Sequence, residues 1–537
     1  MKSTSNSQGA TGKGPWSRTD PSRLLGTGLV VMALIALVWG TSLPAKAASE
    51  FERIREKAEE MVIAVNETEM KTYDEGKDSE LERTYGGYQY LLTPSKLERL
   101  SELVAEPTDP AERKLREASA AVIRYHAIQS NVAAVMDNCR NSMYENTVAV
   151  DGKTLRLRGL DHQVGLIENR DQRRGAYLAA SRLYTGINVY LRSLMLDLND
   201  EARELDYEGY YPFLQEVQGW DLDLMTATAE TVLEGTQTQY QSLMTTWTER
   251  ELDLDLDKLR SYDAMRLFFF PELSEGVKDF EPFKLLEDGL APMGLRIDKQ
   301  RTLRTEAKDR DGRVPTADVY PIQAGKAEVA MIPSEMVSDV QDALGAIGEA
   351  EFHYLISGDT PYEEAYFGNN VYPSAYRALF ELLAEEPAWI EENLELKGVT
   401  AEEVAEALRL RRIYHLREAA GQYLFQLKLH ENPQIDSDLY NEQMEAAVGW
   451  KHIRNDADAY MLSNDDYASG GRLLGWAMAL QIRDALRAKN GEQWWDDESI
   501  MTKLEQGARR GYAPTTDEFL SVWGVTSLDT SVLVAEL

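Results

Sequence analysis

The chain has 537 residues, 43% of them apolar and ten of them Trp, and a formal charge of −34 from 57 basic and 91 acidic residues. That length and apolar content exclude a wholly disordered chain and supply side chains for a large core. The charge excludes nucleic acid and anionic lipid surfaces as partners, because a strongly acidic surface repels phosphate.

The N-terminus reads as an export signal. Residues 1–23 are polar and net basic, Leu24 to Leu43 are apolar, and Ala45-Lys46-Ala47 offers an A-x-A cleavage site. Loss of residues 1–47 leaves 52 basic and 90 acidic residues, a charge of −38. Uncleaved, the apolar run is long enough to anchor the protein in a bilayer. In either case the body of the protein is exported: periplasmic or extracellular, or anchored to the membrane by residues 24–43. Cys139 is the only cysteine, so no intramolecular disulfide forms, and with no His or Cys beside it the thiol reads as packed and inert.

From Glu50 to about Leu103 apolar residues recur at i, i+3, i+4 and i+7, the helical period. A break at Glu106-Pro107-Thr108-Asp109-Pro110 leads into another helix. Val148 to Leu157, centred on Asp151-Gly152, reads as a small hairpin. Arg170 to Asn199 and Asp223 to Leu252 read as long amphipathic helices. The texture changes after Phe268: Gly294 to Pro333 carries short β-type runs separated by charged turns, the one convincing sheet. Helix returns after Glu381, over Ala401 to His430, Tyr440 to Ala459 and Arg472 to Lys489.

The stretch from Leu344 to Glu381 is laid out like a zinc-peptidase centre. Two helical segments are joined by S-G-D-T-P, and an H-E-x-x-H helix would place two imidazoles one turn apart on a single face. With Glu349 in the place of the motif's glutamate, the histidine positions fall on Gly348 and Phe352. His353 stands one residue later, roughly 100° around the helix.

Thr360 to Glu381, T-P-Y-E-E-A-Y-F-G-N-N-V-Y-P-S-A-Y-R-A-L-F-E, pairs without a gap with a stretch like L-P-F-E-x-R-x-L-G-D-N-x-V-T-E-G-Y-A-F-L-F-E. That stretch follows the zinc helix in the thimet oligopeptidase and oligoendopeptidase type of zinc metallopeptidase, which the chain resembles. Asp309 to Ala317, running on to Pro333, resembles the family's D-x-x-x-R-x-G-K-x-P-R-A segment. Glu201 to Trp220, Leu473 to Arg483 and Asn490-Gly491-Glu492-Gln493-Trp494-Trp495 resemble further family segments. The likeness covers most of the chain and is strongest from Arg304 to Trp495.

The resemblance implies a mainly α, two-lobed helical fold with a deep groove and a small β-sheet beside the former active-site helix. A helical region over 48–290 precedes a peptidase-like region over 291–537, with the sheet at 294–333 and the degenerate zinc helix at 344–356. The third-ligand glutamate lands on Ser374, so the family's zinc is expected to be absent and no metal residue is assigned. Glu349 is then a vestigial general base with no metal-bound water to deprotonate. The tyrosine that stabilises the tetrahedral intermediate falls on Arg472, or on Gly471 if the register slips by one. Arg472 is expected to enter the space near Glu349 and replace the lost metal charge, while Tyr467 matches an earlier tyrosine. His353, Tyr372, Tyr376 and Tyr467, with Tyr354, Tyr362 and Tyr366, are candidates for the groove wall.

The leading expectation is an exported, catalytically inactive homologue that binds peptides or an exported protein partner in the groove. Two readings stand beside it: an active metallopeptidase or other hydrolase with an atypical metal site, built on His353 with Glu349, Glu351 or Glu363, and a structural envelope protein without ligand.

Overall fold

A computed structural model describes residues 49–74, 76, 78–107, 109–150, 152–307 and 317–535. The expected signal or anchor at residues 1–47 and most of the Asp309 to Ala317 segment lie outside them. Two compact units are distinguished, Met1–Arg53 and Ile54–Leu537. Of the first, only Ser49 to Arg53 are described. There Ser49 and Glu52 form a reciprocal cap, Ser49 N donating to Glu52 Oε2 at 2.8 Å and Glu52 N to Ser49 Oγ at 3.2 Å.

The second unit is mainly helical with a small sheet. Its principal helices are α1 (Glu50–Asp74, which starts in the first unit), α2 (Pro110–Glu145), α3 (Arg170–Glu204), α4 (Leu222–Gly235) and α5 (Gln237–Leu252). They continue with α6 (Ser338–Tyr354), α7 (Val371–Glu381), α8 (Ala401–Glu431), α9 (Asp438–Val448) and α10 (Ala468–Asn490). Local signals set several ends. Pro110 opens α2 behind Asp109, whose carboxylate accepts from Glu112 N at 3.1 Å. Thr400 and Glu403 form a capping box at the start of α8.

Two sequence expectations change. Asp223 to Leu252 is two helices: Gly235 is pressed against Val534, and Arg417 takes the Leu233 carbonyl at 2.8 Å and the Thr236 hydroxyl at 2.6 Å. The helix expected over 440–459 stops at Gly449, whose φ of 80° suits glycine, and a 3₁₀ segment follows over Arg454–Ser463.

Strands β1 (Thr147–Val150) and β2 (Lys153–Arg156) form the antiparallel hairpin, turning at Gly152 with φ of 81°. The larger sheet holds β3 (Leu303–Ala307), β4 (Asp318–Gln323) and β5 (Lys326–Met331) in the order β3-β5-β4. Strand β3 runs parallel to β5, pairing Thr305 with Val329, and β4 runs antiparallel, pairing Val319 with Val329. Tyr320, Ile322, Ala327, Val329 and Met331 are buried, and the sheet packs on α6. One apolar core runs from Ile128 to Leu533, straight through the boundary expected at 290. Cys139 is buried, and burial raises its thiol to about 11, so it stays protonated.

Helix α7 is clamped between α6 and α10. A Cβ on Gly348 of α6 would lie 2.5 Å from Tyr376 O and 2.9 Å from the Phe380 ring. A Cβ on Gly475 of α10 would lie 2.6 Å from Ser374 Cβ and 2.9 Å from Ala375 N. The backbones approach this closely because both positions lack a side chain. Gly348→Ala is therefore expected to lower stability by about 1–3 kcal/mol in urea unfolding. Gly358→Ala, whose Cβ would meet nothing within 4 Å, should leave the midpoint unchanged. Equal midpoints for both variants would count against the clamp.

Candidate functional site

The three positions that the resemblance matched to metal ligands lie inside this clamp. Gly348 faces the α7 backbone, and Ser374 faces Gly475. Phe352 is fully buried, with the rings of His353, Tyr372, Tyr376 and Tyr512 5.3 to 6.5 Å away. Neither glycine nor phenylalanine donates to a metal, and the space an imidazole at 348 would need holds the Tyr376 carbonyl and the Phe380 ring. The residues present do not fit a zinc ion.

Two of the acids considered with His353, Glu363 and Glu349, are taken up elsewhere. Arg55 grips Glu363 in a fork, at 2.6 and 2.9 Å, and Ser119 also donates to that carboxylate. Glu349 accepts from Arg377 Nη1 at 2.8 Å. Burial lowers the His353 imidazole to about 4, against the pull of Glu349, so the ring is neutral near pH 7. Among the described residues no group of three or more His, Cys, Asp or Glu side chains is placed to hold a metal ion.

Arg377, not Arg472, is the cation beside Glu349. It lies on α7 one turn past Ser374 and also donates through Nε to Glu381 at 3.0 Å. Glu381 in turn fills the space beside Gly345, where a Cβ would collide with it. One guanidinium between two carboxylates leaves the cluster short of positive charge, and burial lifts Glu381 to about 7. Arg472 stays in the first turn of α10, where it donates to Ser469 Oγ at 2.8 Å and reaches Asp465 at 3.5 Å.

The expected groove aromatics are core instead. Tyr372 donates to Pro514 O at 2.7 Å and stacks on Phe519 with centroids 4.5 Å apart. Tyr376 donates to Leu504 O at 2.6 Å. Tyr467 sits at φ of 70° before α10, its buried ring against Tyr211, Trp220 and His430. Tyr362 lies by Ser119, and Tyr366 accepts from Ala324 N at 2.8 Å. None of these tyrosines, nor Tyr354 or His353, lines the cavity described next.

That cavity has a volume of about 580 Å³ and is walled by the short helices Leu160–Gly165 and Ser261–Leu267, by α3, and by α6 to α9. Arg377 puts the Glu349 cluster on one wall. Arg411 stands beside it, bonded to Gln341 Oε1 and Asp342 Oδ2, each at 3.0 Å. One turn along α8 from Arg411, Tyr414 stacks on Phe268 with centroids 4.0 Å apart and donates to Glu418 at 2.6 Å. His415 Nδ1 lies 3.5 Å from the same carboxylate. Tyr177 donates to Asp456 at 2.5 Å.

The His415 side chain is 45% exposed and Glu418 30%, yet burial still lowers the His415 imidazole. Both facts hold because their exposed surface is the inside of the cavity. Asp161 combines them in the same way: it is exposed into the cavity, and burial with the Glu418 charge raises it to about 6. These lining residues escape a motif search because 161, 342, 377, 415 and 456 share no spacing. The one local signal is His415 and Glu418, three apart on one helix face.

No protein-family model matches the chain, and no curated protein matches it.

Glu351, also on α6, is fully buried, and neither carboxylate oxygen has a hydrogen-bond partner. Burial raises it to about 8, and Gln300 beside it pulls the other way. The folded pKa lies above the unfolded one, so the folded state holds the proton more tightly between about pH 4.5 and 8. Native stability due to this group is full at low pH and falls across that window. Glu351→Gln should therefore gain on wild type by up to about 1.4 kcal/mol per pH unit from pH 5 to 8 in urea unfolding. A gap independent of pH would show that Glu351 is ionised throughout.

Proposed function

We propose that the chain is an exported, catalytically inactive relative of the thimet oligopeptidase and oligoendopeptidase type of zinc metallopeptidase, which binds peptides in its cavity. The observation that carries this reading is a pairing of opposites within one unit. The helix crossing where the family binds zinc is closed by Gly348, Phe352, Ser374 and Gly475, while an open cavity of about 580 Å³ persists beside it.

The cavity suits a peptide. Its volume falls in the range of roughly 300–1,000 Å³ that ligand sites occupy. Its wall alternates aromatic faces, such as Phe268, Tyr414 and Trp450, with charged groups, such as Arg411, Glu418 and Asp456. Extended peptides use both: apolar side chains bury against rings, and their polar backbone and ends need partners. Export rests on residues 1–47 as read from sequence. Among the described residues no helix is long and apolar enough to cross a membrane.

Three measurements on the full chain test the reading. After incubation with zinc and desalting, elemental analysis should find no stoichiometric metal, and quenched fluorogenic peptides should not be cut. Fluorescence anisotropy with labelled short peptides should show saturable binding. Leu462 is 42% exposed and lines the cavity, so Leu462→Trp should fill it and weaken binding at least tenfold without altering stability. One metal per chain, turnover abolished by a chelator, or binding indifferent to Leu462→Trp would each overturn the proposal.

A further inference from the structure

The cavity wall carries negative charge that nothing in the protein neutralises. Its two arginines are already committed, Arg377 to Glu349 and Glu381, and Arg411 to Asp342. Arg472, whose charge reaches Glu418, is paired with Asp465. The three lining histidines, His162, His415 and His452, are all shifted down by burial and contribute no positive charge near pH 7. Three carboxylates remain. Asp456 is bonded by Tyr177 and by the Ile453 amide, and Glu418 by Tyr414. Asp161 makes no hydrogen bond or ion pair among the described residues.

The rings of the same wall point to what would answer that charge. Tyr177, Tyr184 and Tyr440 line the cavity with Asp161, whose charge all three feel. Tyr414 lines it too, with one face covered by Phe268. Aromatic rings beside a carboxylate attract an organic cation through the ring quadrupole as well as by charge. His452 adds no competing cation: its side chain is 7% exposed, burial lowers its imidazole, and its Nδ1 lies 3.8 Å from Asp456 Oδ2, turned from the open space.

We propose that the cavity is a receptor for a primary ammonium group, with Asp161 as its counter-ion, Glu418 and Asp456 as supporting acceptors, and the surrounding tyrosines as its aromatic wall. The proposal rests on the peptide-binding reading and narrows it to peptides that bring a free amine, either at the amino terminus or on a lysine side chain. An ammonium carries three donors and no acceptor, which matches a wall of three carboxylates with no free cation among the described residues. Within the concave wall of the cavity such a pair is stronger than at a flat, fully solvated surface.

The test uses three labelled tripeptides with apolar side chains and the dye at the carboxyl end: one with a free amino terminus and no lysine, one acetylated without lysine, and one acetylated with a single lysine. Binding to the full chain is read by anisotropy. At least tenfold tighter binding of the first or the third over the second supports the proposal and identifies which amine is read. Asp161→Asn should erase that preference while leaving the weak binding of the acetylated, lysine-free peptide unchanged.

The same variant should raise Tm without ligand, because it removes a desolvated, unpaired carboxylate. A lower Tm would make Asp161 a structural residue and overturn the assignment. Equal binding of all three peptides would overturn the ammonium site and leave the peptide-binding reading intact. No binding by any of them would overturn both.

Discussion

The approach of α7 to its two neighbours is the constraint on which the centre of this protein depends. Helices pack at distances set by the side chains between them, and here the decisive contacts have none. Gly348 lets α6 close onto the Tyr376 carbonyl, and Gly475 lets α10 close onto Ser374. A metal centre at this crossing would require the opposite: long donor side chains that hold helices apart around an ion, with an open position for water. Once the backbones have met, adding a single ligand residue cannot recreate the site, because the volume for it is occupied by main chain. The lack of donor side chains at 348 and 352 and the closure of the crossing are therefore one structural fact.

Charge is redistributed along with volume. Glu349 is half-buried on α6, and a carboxylate there gains from a cation. Arg377 supplies it from the neighbouring helix and shares itself with Glu381. A guanidinium suits this place because its flat fork can address two carboxylates at once and it cannot lose its proton. The arrangement holds α6 to α7 on the cavity side, while glycine contacts hold them on the far side. The cluster keeps the helices in register and uses up the positive charge that a bound anion would otherwise find.

Much of the architecture was legible in the sequence, for reasons that can be named. Asp109-Pro110, Thr400 and Glu403, and the Asp151-Gly152 hairpin carry their structural meaning in the residues themselves. The sheet between 294 and 333 declared itself by short alternating runs. The sequence failed where the answer depended on which way a side chain faces once helices pack. Tyr372, Tyr376 and Tyr467 look like a ligand's aromatic wall when written in a row. Their hydroxyls instead reach Pro514 O, Leu504 O and the His430 ring, from segments far along the chain. Arg472 was chosen over Arg377 for a similar reason: alignment gives a position, and only packing gives a neighbour.

The cavity lies at the limit of this kind of legibility, since its wall is assembled from residues scattered between Gly159 and Ser463. What the sequence does show is a large excess of acid, and acid on a surface is ordinarily only solvated. Inside the cavity the same excess has a different meaning, because the arginines present are spent on one another's partners and the histidines are held neutral. Folding alone would favour an amide at 161, or a cation opposite it, over an uncompensated carboxylate. A chain that keeps an unpaired acid in a cavity walled by tyrosines holds a shape and a charge that a ligand would complete. The uncompensated charge therefore sits in the open cavity, while the crossing of α6, α7 and α10 is closely packed.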